Sequence, residues 1–187
     1  MEARNPNVHT LVNCAGFGKI GEYSDISPET NHAMIDLNCK ALVDITLSVL
    51  PYMRRGSRIL QICSSSAFQP LPGLNIYAAT KSFVLQYSRA LRWELRGRGI
   101  GVTAVCPYWI KDTEFIPLAE SVEAGKPLTH YPLASKSKSV VRRSLRASRY
   151  NLPVSTPGLI CTLQRIINKI IPKEIFIAVW QLMRRVR

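Results

Sequence analysis

The stretch Tyr77-Ala78-Ala79-Thr80-Lys81-Ser82 decides the fold, because it lies in the longest helical pattern of the chain and between two apolar strands. That pattern covers roughly 74–96 and is stopped by Gly97 and Gly99. The segment before it, 58–63 (R-I-L-Q-I-C), and the segment after it, 101–106 (G-V-T-A-V-C), are typical of buried strands. The centre of the sequence therefore predicts a strand, a long helix and a second strand.

The same alternation extends toward the N-terminus. Residues 9–15 (H-T-L-V-N-C-A) form a short apolar run that ends in glycines, as expected of a strand followed by a turn. Ser27 and Pro28 then provide a hydroxyl cap and a proline at the first helical position, and the helix is predicted to run to about Met53. Strands alternating with long helices indicate an α/β protein with a parallel sheet that helices cover on both faces.

The C-terminal part has weaker signals. Residues 108–133 are expected to form a long connection of the kind that often serves as a lid or binding loop. Beyond it the sequence predicts a basic helix at 134–148, a short strand at 152–154, and two amphipathic helices at 159–171 and 174–187. Since neither an internal repeat nor a linker is visible, we expect the 187 residues to belong to one domain.

The chain is basic, with 25 Lys and Arg against 12 Asp and Glu, which gives a formal net charge of +13. Arginines cluster at 142–149 and again at Arg184, Arg185 and Arg187. Such clusters attract the phosphates of nucleic acids or anionic lipids, but a solvated helix face is the interpretation we favour. The charge alone therefore names no partner, and we expect no nucleic acid.

The cysteines and the N-terminal sequence bear on the compartment. Five cysteines without a C-x-x-C motif fit buried, reduced thiols better than disulfides or a zinc site, and no metal site is predicted. The first twenty residues lack the basic start and long apolar core of a secretory signal, and no apolar stretch is long enough for a membrane span. These features predict a cytoplasmic protein.

The glycines after the first strand have two interpretations. Gly16-Phe17-Gly18-Lys19-Ile20-Gly21 matches G-x-G-x-x-G, which can cradle the phosphates of a dinucleotide. Such a loop opens directly into a helix, whereas here the next helix is predicted to begin only near Pro28. An ordinary glycine turn is therefore the favoured interpretation, with the phosphate loop as the alternative.

Tyr77 and Lys81 are spaced i, i+4, which places both side chains on one face of the predicted helix. A nearby ammonium favours the phenolate, so we expect Lys81 to lower the pKa of Tyr77 toward the range where a phenol exchanges protons. By itself the pair is better explained as a chance surface contact. Two further residues make a catalytic interpretation of the pair more favourable. Ser64 follows the second strand, and Asn38 lies in the helix before it.

With these residues in place, the sequence from about 9 to 115 resembles the short-chain dehydrogenase/reductase family. Asn13-Cys14-Ala15-Gly16 stands where that family has N-N-A-G, Leu71-Pro72-Gly73-Leu74 precedes the tyrosine, and 77–82 resembles its Y-x-A-S-K-x. The residues that match its catalytic tetrad are Asn38, Ser64, Tyr77 and Lys81. The resemblance implies the C-terminal part of a Rossmann-like, doubly wound parallel sheet in three αβα layers, followed by C-terminal helices.

The resemblance also implies roles and a cofactor. Tyr77 is expected to be the general acid/base, Lys81 to lower its pKa and hold the nicotinamide ribose, Ser64 to bond the reacting oxygen, and Asn38 to position a water. The implied reaction interconverts a carbonyl and a hydroxyl on a small or hydrophobic substrate with NAD or NADP. The positions expected to contact the cofactor are Asn13, Ala15, Gly16, Tyr77, Lys81, Pro107, Tyr108, Ile110 and Thr113.

The chain departs from the family pattern in three places. The family's first strand and its T-G-x-x-x-G-x-G loop have no counterpart, so we expect a truncated chain whose first strand lies at an open sheet edge. Cys14 replaces an asparagine, and Tyr108 stands where the family has a glycine. Thr113 resembles the family's threonine that contacts the cofactor amide, although Asp112 then stands as a one-residue insertion before it. The alternative function is a catalytically silent, basic module that binds a membrane surface or a partner.

The expected layout is a single partial domain with three parts: sheet and catalytic helices at 1–115, a substrate loop and basic helix at 116–150, and amphipathic helices at 151–187. The family implies a homo-oligomer built through the helices at 28–53 and 74–96. The C-terminal helices are expected to pack on the sheet and line a substrate pocket. Alternatively, they make weak contact with a membrane surface or bind a protein partner.

Overall fold

The structure, a computed structural model, describes residues 6–121 and 133–185, and the side chains within them up to residue 182. Part of the predicted loop at 108–133, the final Arg187 and the side chains of Arg184 and Arg185 lie outside these residues. In the described part of the chain, four parallel strands pair in sequence order. They are β1 (Thr10–Asn13), β2 (Arg58–Ile62), β3 (Gly101–Val105) and β4 (Val154–Ser155). The predicted parallel α/β fold is confirmed, and β1 lies at one end of this sheet.

The first helical path runs from residue 28 to 52, close to the prediction. It consists of α1 (Pro28–Ile35), a π-helical segment (Asp36–Ala41), α2 (Leu42–Val49) and a 3₁₀ turn (Leu50–Tyr52). Ser27 caps α1 as expected, since its hydroxyl accepts a hydrogen bond from the Thr30 backbone N–H at 3.2 Å. The π-helical segment was not predicted, because one extra residue in a helical turn leaves no glycine or proline signal.

Helices cover both faces of the sheet. The long helix α3 (Asn75–Glu94) packs on β2 and β3, where Ile59 and Leu91 share an apolar cluster. Arg58, the neighbour of Ile59 on β2, instead donates from Nε to the Ser148 carbonyl of α5 (Ser137–Arg149) at 3.2 Å. Because successive side chains of a strand point to opposite faces, α3 and α5 lie on opposite sides of the sheet.

The C-terminal region is more helical than predicted. A short helix α4 (Phe115–Glu120) interrupts the expected loop, and α6 (Leu159–Ile170) and α7 (Lys173–Arg185) lie close to the two predicted amphipathic helices. Within the described residues, no helix combines the length and the apolar character needed to cross a bilayer.

The basic helix α5 begins later than predicted, at Ser137, because a distant residue caps it. Asp112 accepts hydrogen bonds from the Ser137 backbone N–H at 2.7 Å and from the Ser137 hydroxyl at 2.8 Å. These bonds lower the pKa of Asp112 below its usual value. The residue that looked like an insertion in the sequence therefore joins the loop after β3 to the C-terminal region.

The cysteines only partly match the prediction. All five are free thiols, and Cys63, Cys106 and Cys161 are buried as expected. Cys39 is half-buried and Cys14 is exposed, so the expectation of burial is wrong for Cys14. Cys14 follows directly on β1 at the end strand of the described sheet, where no further strand covers it.

Candidate active site

A cavity of about 290 Å³ opens at the carboxyl ends of β1, β2 and β3. Ser64, Tyr77 and Lys81, three of the residues expected to be catalytic, line this cavity. Most of the remaining wall is apolar and comes from Leu71, Leu74, Trp109, Ile110, Phe115 and Trp180. A mostly apolar cavity with a few convergent polar groups is the usual form of a small-molecule site.

Tyr77 is held rigidly on α3 by its neighbours. Its ring lies 5.5 Å from the ring of Phe115 between centroids, and a Cβ at Gly18 would come within 2.7 Å of it. Burial raises the pKa of the Tyr77 phenol well above its usual value, and a hydrogen bond with the Ser64 side chain lowers it only in part. The expectation that Lys81 brings this pKa down is therefore wrong for this structure, because burial dominates.

Lys81 lies over the face of the Tyr77 ring. Its ammonium is 5.7 Å from the centroid of the Tyr77 ring and donates to the Ile62 carbonyl at 3.0 Å. The side chain is only 4% exposed, and this burial lowers the pKa of the amine. The groups that act in the opposite direction are thiols rather than carboxylates: Cys63, Cys39, Cys14 and Cys106.

Asn38 connects the glycine turn to the catalytic helix. Its side-chain oxygen accepts from the Phe17 backbone N–H at 3.0 Å, and its amide nitrogen donates to the Phe17 carbonyl at 2.8 Å. The same nitrogen donates to the Thr80 hydroxyl at 3.1 Å, which in turn donates to the Tyr77 carbonyl at 2.8 Å. The π-helical segment thus carries a fully buried amide that fixes both the turn and α3.

The glycine turn after β1 lies directly against these residues. A Cβ at Gly16 would stand 2.7 Å from the Asn38 side-chain oxygen and 3.3 Å from the Lys81 ammonium. Helix α1 begins only at Pro28, so the turn does not present a helix N-terminus to a ligand. The glycines therefore serve close packing around Tyr77 and Lys81, which agrees with the favoured interpretation of an ordinary turn.

The predicted cofactor-contacting positions are divided between two environments. Besides Tyr77 and Lys81, the cavity is lined by Gly16, Pro107, Tyr108, Ile110 and Thr113. The Asn13 side chain turns into the core, where its amide donates to the Thr46 hydroxyl and the Gln61 side-chain oxygen, both at 2.8 Å. Ala15 is exposed and lies outside the cavity lining.

The sequence did not single out several residues that shape the cavity. Gln164 of α6 and Trp180 of α7 reach the wall from the C-terminal helices, and Gln69 reaches it from the 3₁₀ turn after β2. The Trp180 indole donates to the Pro72 carbonyl at 3.0 Å, which anchors α7 over the loop before α3. Trp180 is 108 residues from Pro72 in sequence. The sequence showed that the two helices are amphipathic, but it did not show which residues they contact.

Comparison with known proteins places this site in a family context. A sequence model described as short chain dehydrogenase matches residues 1–123. Sulfoacetaldehyde reductase 2 of Chromohalobacter salexigens is 39% identical over 112 residues, which is 58% of this chain and 44% of that protein. The NADP-dependent 3-hydroxy acid dehydrogenase YdfG of Escherichia coli K12 is 39% identical over 123 residues, which is 64% of this chain and 50% of that protein. The chain therefore spans about half the length of these curated relatives.

A solved structure extends the likeness beyond the segment that the sequence model matches. The short-chain dehydrogenase from Sphingobium yanoikuyae in complex with NADPH superposes with a TM-score of 0.70 at 26% identity. The alignment covers 91% of this chain and 70% of that one. The architecture described above is thus shared over nearly the whole chain.

Proposed function

Because the chain belongs to the short-chain dehydrogenase family, we propose that it carries the proton-transfer machinery of an NAD(P)-dependent interconversion of a carbonyl and a hydroxyl group. The observation that carries this proposal is that Ser64, Tyr77 and Lys81 line the same mostly apolar cavity. A phenol, a hydroxyl and a buried ammonium are the groups such a proton transfer needs.

The residues present fit the nicotinamide end of the cofactor. The close approach of Gly16 to Lys81 leaves the ammonium at the cavity wall, and Thr113 contributes a hydroxyl on the same cavity. Lys81 would hold the ribose, while Pro107, Tyr108 and Ile110 would border the ring. The bound reduced nicotinamide supplies the hydride for the carbonyl carbon. For the pyrophosphate, the turn after β1 offers no helix N-terminus, since α1 starts at Pro28.

Tyr77 and Ser64 act on the reacting oxygen of the substrate. The Ser64 hydroxyl donates to the reacting carbonyl oxygen, and the Tyr77 phenol delivers its proton to that oxygen as negative charge develops on it. The phenol gives up this proton in carbonyl reduction and takes it back in alcohol oxidation, so the same residue serves both directions. The Lys81 ammonium, 5.7 Å from the centroid of the Tyr77 ring, is the cation proposed to hold the cofactor ribose beside the phenol.

The cavity wall suggests the kind of substrate. Its lining includes the aromatic side chains of Trp109, Phe115 and Trp180, which pack against the apolar cluster that contains Tyr77. We therefore propose a hydrophobic aldehyde or ketone of small to moderate size. A homo-oligomer stays a prediction, and exposed apolar residues on the helices it would use, Ile45 and Phe83, are compatible with it.

A fluorescence titration with NADH and NADPH tests the proposal on the 187-residue chain. We expect saturable binding that Lys81→Ala weakens at least about tenfold, since a buried charged hydrogen-bond donor is removed. Lys138→Ala, at an exposed lysine of α5, is the matched control and should bind as the parent does. Equal binding by the parent and Lys81→Ala would contradict the proposed cofactor site.

A screen of carbonyl compounds follows on the same protein. We expect NADPH or NADH oxidation with hydrophobic aldehydes or ketones, and little with small, highly charged ones, because the cavity wall is mostly apolar. A folded chain that binds the cofactor but shows equal rates with charged and apolar substrates would contradict the proposed substrate class.

A further inference from the structure

Helix α6 directs its apolar side toward solvent. Leu159, Leu163, Ile166 and Ile170 follow one another at helical spacing and are between 46% and 77% exposed. We call these four residues the α6 row. In a helix that packs on a core in water, residues at this spacing face the interior. The α6 row thus reverses the usual arrangement.

The opposite side of α6 is polar and is fixed to the protein body. The Asn168 amide donates to the Gln69 side-chain oxygen at 2.5 Å, and Cys161 is fully buried. Gln164, on the same side, lines the catalytic cavity. The Asn168–Gln69 hydrogen bond and the buried Cys161 hold this side inward, so the α6 row faces outward.

The exposed apolar side chains continue from α6 into α7. Ile171, at the corner between the helices, is 39% exposed, and Ile175, Val179 and Leu182 follow along α7 with exposures of 49% to 64%. Other residues of α7 point inward, since Phe176 and Trp180 pack on the apolar cluster around Tyr77. The α6 row together with Ile171, Ile175, Val179 and Leu182 is called the C-terminal apolar surface below.

Positive charges border this surface. Lys169 and Lys173 are exposed beside the α6 row and at the start of α7, and Glu174 is the one acidic residue between positions 159 and 182 of the sequence. The whole chain carries a formal charge of +13. Apolar side chains in a row with cations at the edge are the pattern of helices that lie in a membrane interface, with the cations at the headgroups.

We propose that the C-terminal apolar surface docks onto the interface of a membrane that contains anionic lipid. A second copy of this chain is a poorer occupant, because it would bring another +13 to a face already bordered by cations. Nucleic acid would match the charge but not the apolar rows. An anionic bilayer satisfies both features, since it takes up the apolar side chains and pairs with the lysines.

The same two helices connect the docking surface to the catalytic cavity. Gln164 of α6 and Trp180 of α7 line the cavity, while their helices present the α6 row and Val179 outward. A hydrophobic substrate dissolved in the membrane would therefore be close to the cavity when the protein is docked. The docking does not depend on the reaction proposed above and is tested without it.

Vesicle sedimentation tests the docking with matched variants. The 187-residue chain is mixed with vesicles of equimolar phosphatidylcholine and phosphatidylglycerol. The double variant Ile166→Asp/Ile170→Asp should bind at least about tenfold more weakly, because two carboxylates enter the apolar interface. Val141→Asp/Leu145→Asp on α5 has the same spacing, the same charge change and wild-type residues 51% to 54% exposed, and it should keep nearly all binding.

A second arm tests the charge. Lys169→Gln and Lys173→Gln should each weaken binding to these vesicles by about fivefold, and by much less for pure phosphatidylcholine. Absence of vesicle binding by the parent, or equal loss in the α6 and α5 double variants, would overturn the proposal. Light scattering without lipid provides a further check. A parent dimer that Ile166→Asp/Ile170→Asp converts to a monomer would assign the surface to a second copy instead.

Discussion

The region around Tyr77 and the region of α6 and α7 use their side chains in opposite ways. Around Tyr77, charged and polar groups such as Lys81 and Asn38 are buried. Lys81 donates to the Ile62 carbonyl, and Asn38 bonds the Phe17 backbone. In α6 the polar side faces inward and the apolar residues face solvent. Burial of charge in the first region and exposure of apolar surface in the second both cost free energy, so both indicate function rather than stability.

The two regions also differ in whether the family model matches them. The family model matches residues 1–123 and ends before α5, α6 and α7 begin. The shared region supplies the reacting groups, whereas the C-terminal helices complete the cavity wall and present the apolar surface. The residues of the proposed chemistry thus lie within the part that the family model matches, and the proposed docking surface lies beyond it.

The largest expected effect concerns the proposed acid in the shared region. Tyr77→Phe removes the phenolic proton but keeps the ring that packs on Phe115 and Gly18. We expect the rate of carbonyl reduction to fall by roughly 10²- to 10⁴-fold, the usual contribution of general acid catalysis. The measurement is steady-state oxidation of NADPH or NADH with a hydrophobic ketone.

Tyr87→Phe is the control for that substitution. Tyr87 lies on the same helix but does not line the cavity, so its variant should keep the parent rate. If Tyr77→Phe retained activity within a few-fold of this control, the assignment of the acid would be wrong. The shared region would then have no special role in proton transfer.

The next prediction compares one substitution in both regions. Ile59→Ala removes a side chain with 0% exposure from the sheet and should lower the free energy of unfolding by about 2 to 5 kcal/mol. Ile166→Ala changes a residue that is 51% exposed on α6 and should stay within about 0.5 kcal/mol of the parent. Urea unfolding followed by circular dichroism measures both. A comparable loss in the two variants would show that α6 packs against something in water.

Asn38 provides a smaller effect within the shared region. Asn38→Ala leaves the Phe17 N–H and carbonyl without their buried partner, which should cost about 2 to 3 kcal/mol of unfolding free energy. Asn75→Ala, at the exposed start of α3, should cost less than about 1 kcal/mol. If Asn38→Ala were as stable as Asn75→Ala but lost activity, its role would lie in the reaction and not in holding the turn.

The elements of the shared region could be predicted because their signals are local. The limits of β2, β3 and α3 differ from the predicted ones by one or two residues, since short apolar runs mark the strands and Gly97 and Gly99 follow the helix. The joint placement of Ser64, Tyr77 and Lys81 at one cavity was expected only from the resemblance to the family, and the structure brings them together. Here local pattern and overall fold agree.

What could not be predicted depends on contacts distant in sequence. The contributions of Gln164 and Trp180 to the cavity require the packing of helices about a hundred residues away from the loop they meet. The pKa of Tyr77 was predicted in the wrong direction, because spacing shows that a lysine is near but not how deeply both groups are buried. The outward direction of the α6 row was equally invisible, since periodicity defines two sides of a helix without saying which one faces the protein.

The smallest expected effect lies at the junction of the two regions, where Asp112 caps α5 through Ser137. Its pKa is lowered in the folded state by the Ser137 hydrogen bonds, so its stabilisation is present above the ordinary aspartate value and is lost as pH falls through the folded-state pKa. Asp112→Asn keeps an acceptor but does not titrate. We expect its thermal midpoint to lie slightly below that of the parent at neutral pH and to approach it in acid. A difference in thermal midpoint that stayed constant with pH would contradict this prediction. It would show that the charge of Asp112 contributes nothing to the contact between the loop after β3 and α5.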